Sequence, residues 1–494
     1  MTEPSTAAMP ATASSAVRPV VPGFHPDPSI CRVGERYYLA HSSFEYSPAV
    51  PVWVSDDLVT WALVGHALGR AEQFPAGAFA PSLGVYAPTL RHHDGRFWMI
   101  TTTVGMGDGQ VLVTADDAAG PWSAPVRLEG LTGIDPDIAW DDEGRCLITW
   151  SGTHEGRSAI MQAEVEPATG AVLEEPRPLW SGTGLAHPEA PHVFRRGEHW
   201  YLVIAEGGTE RGHTVAVARS DSPRGPFAGA PHNPLLTHRS TSLPVQNTGH
   251  ADLVERPDGS WAMVYLGVRA RGGTPHWHVN GRETFLAGIV WEDGWPTVVE
   301  DAFAVPPFPS TMRLDPGAPL DLHWVSPGAR LDTFVTPGAD GFALAPSEDD
   351  GLALLARRCL DERWAATVTV DPGDGVAELR LHLDHRHWYA VRAGATEVVA
   401  VARIGDVEHE VARTAHAGAP VVLGLAAVQA RHGGPDDIVL SVAADGAGGT
   451  SEPGGVPGGA TGAAAGEPTR GSRAWMGATS PRRLPGASPD ACGG

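Results

Sequence analysis

One pattern recurs five times along this chain of 494 residues, and it limits what the chain can fold into. Each copy has a polar or proline-containing lead-in, an apolar segment, a turn with glycine and a second segment rich in aromatic residues. The copies begin at Asp27, Ala87, Asp135, Ala190 and Ala251, so that successive starts lie 60, 48, 55 and 61 residues apart. Alternating apolar residues on both sides of such a turn are typical of a β-hairpin.

Repeated β units at this spacing indicate a β-propeller, and five copies predict five blades. Several copies are followed by a further apolar segment, as in VSDDLVTW from Val54, which indicates an outer strand. A parallel α/β fold would need helical crossovers, and no stretch of the chain has a clear helical period. A β-sandwich is the rival architecture, but it gives no reason for one hairpin to recur with the same lead-in. The sequence therefore predicts an all-β fold.

The pattern of residues along the sequence changes after about Pro309. Alternating runs such as AELRLHLD from Ala377, separated by Gly, Pro and Asp turns, predict a second all-β domain of the sandwich type. From Gly446 onward glycine and proline dominate, and such a composition predicts disorder. The predicted division is a disordered N-terminus (1–16), a propeller (17–312), a β-sandwich (313–445) and a disordered tail (446–494).

The charge of the chain excludes several classes of partner and reaction. It has 35 Lys and Arg residues against 58 Asp and Glu, a net charge of −23, which argues against nucleic acid and anionic membranes. All the cations are arginine, which excludes reactions that need a lysine, such as Schiff-base chemistry. The first sixteen residues lack a secretory signal, and no window is apolar enough to span a membrane. We expect a cytoplasmic protein and leave an oligomer open.

Three carboxylates stand at or beside the start of a repeat. They are Asp27 in PGFHPDPSI, Asp135 in TGIDPDIAW and Glu189 in AHPEAPHVF. The innermost strands of a propeller line its central channel, so these side chains are expected to converge. Aspartate before proline is also common in turns, but turn chemistry does not explain Glu189. Two spaced carboxyl groups on either side of a scissile bond are what glycosidic hydrolysis requires.

A resemblance to a known family lies in five segments: VPGFHPDPSICRVGERYYLAHSSFEYSPAVPVWVSDDLVTW, GIDPDIAWDDEG, PEAPHVFRRGEHWYLVIAEGGTERGH, NTGHADLVERPDGSW and GRETFLAGIVWEDGWP. From about Val21 to about Pro309 the chain resembles glycoside hydrolase family 43, which contains β-xylosidases and α-L-arabinofuranosidases on a five-bladed propeller. The region from Leu320 to Asp445 resembles, more loosely, the β-sandwich of the xylosidase-like branch. It ends early, which leaves an incomplete second domain as an alternative.

The resemblance implies a role for each of the three carboxylates. Asp27 matches the general base that activates a water, and Glu189 matches the general acid that protonates the leaving oxygen. Asp135 matches a third carboxylate that orients the acid and raises its pKa, as a like charge nearby does. The family inverts the anomeric configuration, so the base and the acid are expected to stand roughly 6.5 to 9.5 Å apart.

The resemblance also implies residues that contact the substrate. Arg282 in GRET matches a substrate-contacting arginine, and Phe44 and Tyr86 match aromatic walls of the sugar subsite; a surface arginine and core aromatics are the alternatives. His25, beside Asp27, is expected to line the site. His250 matches a histidine on the channel axis, which in some relatives is associated with a bound Ca²⁺ or with ordered water; a buried histidine with no ion is the alternative.

Two more carboxylates enter the prediction. Asp137 stands where many relatives carry a serine, and it adds a charge near Asp135. Glu206 in AEGG is an alternative for the acid, but its place at the end of a strand pair predicts a position far from the channel.

The leading hypothesis is an inverting, exo-acting glycoside hydrolase that releases terminal xylose or arabinofuranose from hemicellulose oligosaccharides and requires no cofactor. One alternative is a propeller that binds carbohydrate without catalysis, but such a module does not need three converging carboxylates. Another is a five-bladed enzyme that acts on fructans with a retaining carboxylate pair, and the GRET and PEAPH segments argue against it.

Overall fold

The computed structural model describes residues 17–74, 80–309, 311–315, 317–345, 353–416, 420–430 and 434–444. Within these ranges the chain forms thirty-three strands and one short 3-10 helix, Leu331–Thr333, so the predicted all-β class is confirmed. None of the helical structure described there is long and apolar enough to cross a membrane. The segments that we predict to be disordered, 1–16 and 446–494, lie outside the described residues.

Five antiparallel sheets follow one another along the first three hundred residues. The first contains β1 (Ser29–Val33), β2 (Arg36–Ala40), β4 (Ala49–Ser55) and β5 (Ala62–Leu68), while β3 (Tyr46–Ser47) pairs elsewhere. The second contains β6 (Gly84–Val85), β7 (Thr89–His93), β8 (Arg96–Val104), β9 (Gly109–Ala115) and β10 (Val126–Leu128). The third contains β11 (Ile134–Trp140), β12 (Cys146–His154), β13 (Arg157–Glu166), β14 (Ala171–Val172) and β15 (Arg177–Trp180).

The last two of these sheets have four strands each. The fourth contains β16 (Glu189–Arg196), β17 (His199–Glu206), β18 (Thr214–Ser220) and β19 (Ala228–Gly229). The fifth contains β20 (Val245–Glu255), β21 (Trp261–Arg269), β22 (Glu283–Glu292) and β23 (Trp295–Val299). Each predicted hairpin supplies one antiparallel strand pair: β1 with β2, β7 with β8, β11 with β12, β16 with β17 and β20 with β21.

The five hairpin strands that come first in each pair contact one another in a closed cycle. β1 contacts β7, β7 contacts β11, β11 contacts β16, β16 contacts β20, and β20 contacts β1 again. Five hydrophobic clusters fill the spaces between neighbouring sheets, and one of them joins the fifth sheet to the first. Alternation along a strand makes this possible, because Leu202 faces one neighbour and Val203 the other. The starts of the repeats are thereby brought to one central region.

The C-terminal part is also built from antiparallel strands. Two short pairs come first: β24 (Ser326–Pro327) pairs with β3, and β25 (Val335–Gly338) pairs with β26 (Gly341–Leu344). A three-stranded sheet contains β27 (Trp364–Val370), β32 (Val421–Gln429) and β33 (Asp436–Ala444). A four-stranded sheet contains β28 (Ala377–Asp384), β29 (His387–Ala393), β30 (Glu397–Ile404) and β31 (Val407–Ala415). Both sheets contribute to one hydrophobic cluster, as Val391 and Leu423 show.

Hydrogen bonds tie this C-terminal part to the first five sheets. Arg358 donates from Nε to the carbonyl oxygen of Phe24 at 2.7 Å, three residues before Asp27. Arg271 donates from Nη2 to Asp436 at 2.6 Å. The segment after the fifth sheet therefore supports the loop that carries the first predicted catalytic carboxylate.

Candidate active site

Asp27 lies in the loop that leads into β1, and both of its carboxylate oxygens are held. Arg282 donates from Nη1 to Oδ1 at 2.7 Å, and the Ser42 hydroxyl donates to Oδ2 at 2.5 Å. Burial by itself would raise the pKa of Asp27, but Arg282, then His250 and Ser42, outweigh it and lower that pKa below its usual value. Asp27 is therefore ionised at neutral pH.

A shared backbone conformation turns the lead-in residues toward the centre of the ring of sheets. Asp27, Asp135, Ala190 and His250 occupy corresponding places in four sheets, with φ of 59°, 55°, 53° and 47°. This left-handed region costs a residue other than glycine about 1–3 kcal/mol. Register shifts in β11, β16 and β20 span these positions, and bulges of this kind re-aim side chains. Two of the predicted catalytic carboxylates, Asp27 and Asp135, are among the residues with this conformation.

Asp135 is buried beside the start of β16. Its Oδ2 accepts a hydrogen bond from the backbone N–H of Ala190 at 3.2 Å, which places the Asp135 carboxylate next to Glu189. Burial, the Glu189 carboxyl and Asp27 raise the pKa of Asp135 well above its usual value. The structure thus brings Asp135 and Glu189 together as an electrostatically coupled pair.

Glu189 is the first residue of β16, and its side chain is 19% exposed, against 6% for Asp27. Burial raises the pKa of Glu189 to about 7, and the nearby Asp27 adds to the effect, while Arg282 opposes it. The site therefore contains one carboxylate that stays ionised and a neighbouring pair that retains a proton near neutral pH. General acid–base catalysis requires this combination of an ionised carboxylate and a protonated carboxyl group.

The predicted substrate-contacting side chains surround the carboxylates. The Arg282 guanidinium is buried, and its carbon lies 5.6 Å from the ring centroid of Phe44. Phe44 contacts Tyr86 at 5.2 Å between centroids, and Phe24 at 5.6 Å on its other side. Burial, and then the Asp135 charge, raise the pKa of Tyr86 to about 12, so its hydroxyl remains protonated and can donate to a sugar. Arg282, Phe44 and Tyr86 thus form one wall.

The two predicted histidines differ in what they contact. His250 Nδ1 lies 3.5 Å from Oδ1 of Asp27, so His250 lines the site. Burial lowers the pKa of His250 to about 3, and the ring is neutral at pH 7. His25 is buried, with Nδ1 2.9 Å from the carbonyl oxygen of Pro22 and its ring against Trp53 at 5.2 Å. Through these contacts His25 stabilises the loop that carries Asp27.

Sequence reasoning missed Arg91, which lies in the centre of the ring of sheets. Its guanidinium donates to Asp252 at 2.7 Å and to Asp137 at 2.9 Å, and lies 3.0 Å from His192 Nδ1. One polar residue of each repeat, at the same register, surrounds this centre: Ser29, Thr89, Asp137, His192 and Asp252. Alignment of the five repeats reveals this polar column and would have predicted a buried counter-ion.

The carboxylates at the centre of the ring of sheets do not offer a site for the Ca²⁺ that the resemblance raised. The carboxylates at the centre, Asp137 and Asp252, already bind Arg91, and a fixed guanidinium repels a divalent cation. In the part of the chain that the structure describes, no three His, Cys, Asp or Glu residues are grouped so that they could hold a metal ion. We therefore derive no step through a metal.

Glu206 lies closer to the site than its sequence position predicted. It follows Ala205, which pairs with Glu189 across β16 and β17. The expectation that it stands far away is wrong, because the two strands are antiparallel and the end of β17 returns to the start of β16. Its carboxylate accepts two hydrogen bonds from Thr183, one from the backbone N–H at 2.9 Å and one from the side-chain hydroxyl at 2.7 Å. Glu206 thus anchors the loop before β16.

Comparison with known proteins agrees with this geometry. The profile of a family described as "Glycosyl hydrolases family 43" matches residues 16–296. The chain belongs to this family. The family prediction made from the five segments is confirmed.

Curated relatives in family 43 include enzymes that act on both candidate sugars. The chain is 43% identical over 307 residues to a non-reducing end α-L-arabinofuranosidase of Bacteroides ovatus, which covers 60% of this chain and 57% of the relative. It is 41% identical over 292 residues to a xylosidase/arabinosidase of Butyrivibrio fibrisolvens, covering 57% and 56%. The matches thus span a little over half the length of these relatives.

Solved structures of family 43 proteins resemble this fold over most of the chain. Bacteroides ovatus Xyloglucan PUL GH43B is 33% identical, with a TM-score of 0.73, and the match covers 87% of this chain and 91% of that one. A xylan β-1,4-xylosidase of Bacillus halodurans is 27% identical, with a TM-score of 0.75 and coverage of 87% and 92%. The match extends beyond the five sheets into the C-terminal part.

Proposed function

We propose that the protein is an inverting, exo-acting glycoside hydrolase that releases terminal xylose or arabinofuranose from hemicellulose oligosaccharides. Membership of family 43 supports the reaction class. The names of the relatives support these two sugars, since one is an α-L-arabinofuranosidase and another a xylosidase/arabinosidase. A short carbohydrate is accordingly the proposed partner.

The observation that carries this proposal is that the surroundings of Asp27 and Glu189 favour opposite protonation states. Arg282 and Ser42 favour the Asp27 carboxylate, while burial and Asp27 favour the protonated Glu189. In the proposed reaction a water attacks the anomeric carbon and gives its proton to Asp27. The bond from that carbon to the glycosidic oxygen breaks, and the oxygen takes the proton of Glu189.

Asp135 and Arg282 have supporting roles in this proposal. Asp135 and Glu189 disfavour each other's negative charge, so the pair holds a proton near neutral pH. We assign that proton to Glu189, the more exposed of the two, for transfer to the substrate. Arg282 fixes the Asp27 carboxylate and, with Phe44 and Tyr86, walls the subsite for the terminal sugar. We propose that this wall confines the subsite to one terminal residue.

We extend the proposal to the architecture. The five sheets serve as the blades of a five-bladed propeller, which the closed cycle of contacts among their first hairpin strands supports. The C-terminal pair of sheets serves as a β-sandwich, which their common hydrophobic cluster supports. The propeller corresponds to residues 17–312 and the sandwich to residues 313–445.

We propose that hydrolysis needs no metal ion, because Arg91 supplies the positive charge at the centre of the ring. Activity measured after dialysis against a chelator is expected to equal that of untreated protein. A loss that Ca²⁺ restores would contradict this part of the proposal.

Hydrolysis of an aryl β-xyloside and an aryl α-L-arabinofuranoside tests the proposed function. Wild-type protein is expected to cleave at least one of them, and Asp27→Asn to lose nearly all of that activity. Glu206→Gln is the matched control for the loss of a buried carboxyl group. Glu206 lies in the same sheet as Glu189, but Thr183 binds its carboxylate. Sugar binding by wild-type protein without cleavage would favour the alternative, a carbohydrate-binding propeller.

A further inference from the structure

A buried histidine faces Glu189 from the strand next but one in the same sheet. His213, directly before β18, is 1% exposed. Its Nδ1 lies 3.2 Å from the carbonyl oxygen of Asn247, and its Nε2 lies 3.7 Å from Oε1 of Glu189. Among the described residues Nε2 has no hydrogen-bond partner. Within the described part of the chain this nitrogen lies 3.7 Å from the Glu189 carboxyl, and the charges of Arg282 and Asp27 also act on the ring.

The contact with Asn247 fixes the tautomer of His213. A carbonyl oxygen only accepts hydrogen bonds, so Nδ1 must carry the proton that it donates to Asn247. Burial lowers the pKa of His213 to about 4, so the ring is neutral at pH 7. Nε2 therefore presents a lone pair, and it can interact favourably with Glu189 only if Glu189 is protonated.

The position of the His213 ring is fixed by close packing against Gly249. A Cβ atom at residue 249 would lie 2.3 Å from two atoms of the ring, so only glycine leaves room for it. The ring is thus clamped between Gly249 and the Asn247 carbonyl, with Nε2 toward Glu189. Buried nitrogen atoms without a hydrogen-bond partner are rare, so the position of Nε2 beside the proposed acid calls for an explanation.

We propose that His213 is a positioning residue whose Nε2 accepts a hydrogen bond from the protonated Glu189 carboxyl and keeps that carboxyl protonated until substrate arrives. The inference rests on the proposed function, in which Glu189 is the acid. An acceptor for the neutral form favours that form, and the carboxylate left after proton transfer would face a lone pair and regain a proton readily. Asp135 and Asp27 act in the same direction, and Arg282 acts against them.

The test is the pH profile of His213→Phe on an unactivated disaccharide and on an aryl glycoside with a good leaving group. The alkaline limb for the disaccharide is expected to move down by about one pH unit, the worth of one hydrogen bond. Cleavage of the aryl glycoside, which needs little protonation, should be largely retained. An unchanged limb, or equal losses on both substrates, would overturn the proposal.

His238→Phe is the matched control. His238 is also buried, its Nδ1 also faces a carbonyl oxygen of β20, that of Val245, and its Nε2 bonds Glu300 instead of Glu189. Its replacement is expected to leave the alkaline limb in place; an equal shift would overturn the proposal. If His213→Phe does not fold, Gly249→Ala displaces the same ring and should shift the limb in the same direction, and no shift there would count against His213.

Infrared difference titration of wild-type protein against Glu189→Gln makes the test independent of activity. It follows the proton that Glu189 shares with Asp135, since the Glu189 charge also raises the pKa of Asp135. The band is expected to disappear at lower pH in a His213→Phe background than in the wild type, whereas an equal midpoint would overturn the inference. Absence of any glycosidase activity in the wild type would instead overturn the proposed function, so the two failures are distinguishable.

Discussion

Arg282 donates a hydrogen bond of 2.7 Å to Asp27, and the two side chains are only 5% and 6% exposed. They stand 255 residues apart in the chain, at the two ends of the five-sheet region. The bond joins the first repeat to the last sheet and holds Asp27 ionised despite its burial. This contact thus adds to those that close the ring of sheets, and it fixes the charge of the proposed base.

Replacement of Arg282 is expected to change the acid side of the pH profile. Asp27 must be ionised to act as a base, and Arg282→Gln removes the main group that lowers its pKa. The pKa of Asp27 should rise, and the acid limb of kcat/KM should move to higher pH with it. A fall in activity with the acid limb unchanged would mean that Arg282 only binds substrate.

Replacement of Asp135 is expected to shift the alkaline limb of the pH profile. Glu189 must be protonated to act as an acid, and Asp135→Asn removes the like charge that helps it to keep its proton. The pKa of Glu189 should fall, and the alkaline limb should move to lower pH with a large loss of rate. An alkaline limb that stays in place would show that Asp135 serves only the local turn.

Loss of the proposed acid should depend on the leaving group. Glu189→Ala is expected to lose most of its activity on xylo-oligosaccharides, by roughly the 10²–10⁴-fold that general acids contribute. Aryl glycosides with a good leaving group need little protonation and should be cleaved much closer to the wild-type rate. Steady-state kinetics on both substrates test this role, because equal losses of activity would be incompatible with Glu189 acting as the general acid.

Arg91 is expected to matter for stability. Arg91→Met leaves the buried carboxylates of Asp137 and Asp252 without their counter-ion, which costs about 3–5 kcal/mol of unfolding free energy. Urea unfolding measures this, with Arg145→Met as control. Arg145 also pairs with a buried aspartate, Asp141, but is itself 44% exposed, so its loss should cost far less than that of Arg91. Similar small losses in both variants would contradict the assigned role of Arg91.

The sequence allowed the strand pairs and the family to be predicted because their signals are local. Each hairpin has its turn and its apolar alternation within about twenty residues, and four of the five lead-ins carry a carboxylate or a histidine. Asp27, Asp135 and Glu189 were therefore found without the structure, although their roles came from the resemblance and stay proposals.

The contacts between sheets were not predicted, since they join residues that are far apart in the chain. Arg91 and Asp252 are separated by 161 residues, and Arg358 and Phe24 by 334. Nothing in the segment around Arg91 distinguishes it from a surface arginine until the repeats are aligned. His213 stood in one of the quoted segments, but only the fold shows that its Nε2 faces Glu189. Glu206 was misplaced for the same reason.

Proton NMR of the product first released tests the central claim most directly. The wild-type protein is incubated with whichever aryl glycoside it cleaves faster, and the anomeric signals are recorded before mutarotation. With Asp27 as base and Glu189 as acid, water adds directly, so the first sugar should have the configuration opposite to that of the substrate. Retained configuration would require a covalent glycosyl intermediate, would make Asp27 a nucleophile and would contradict the account.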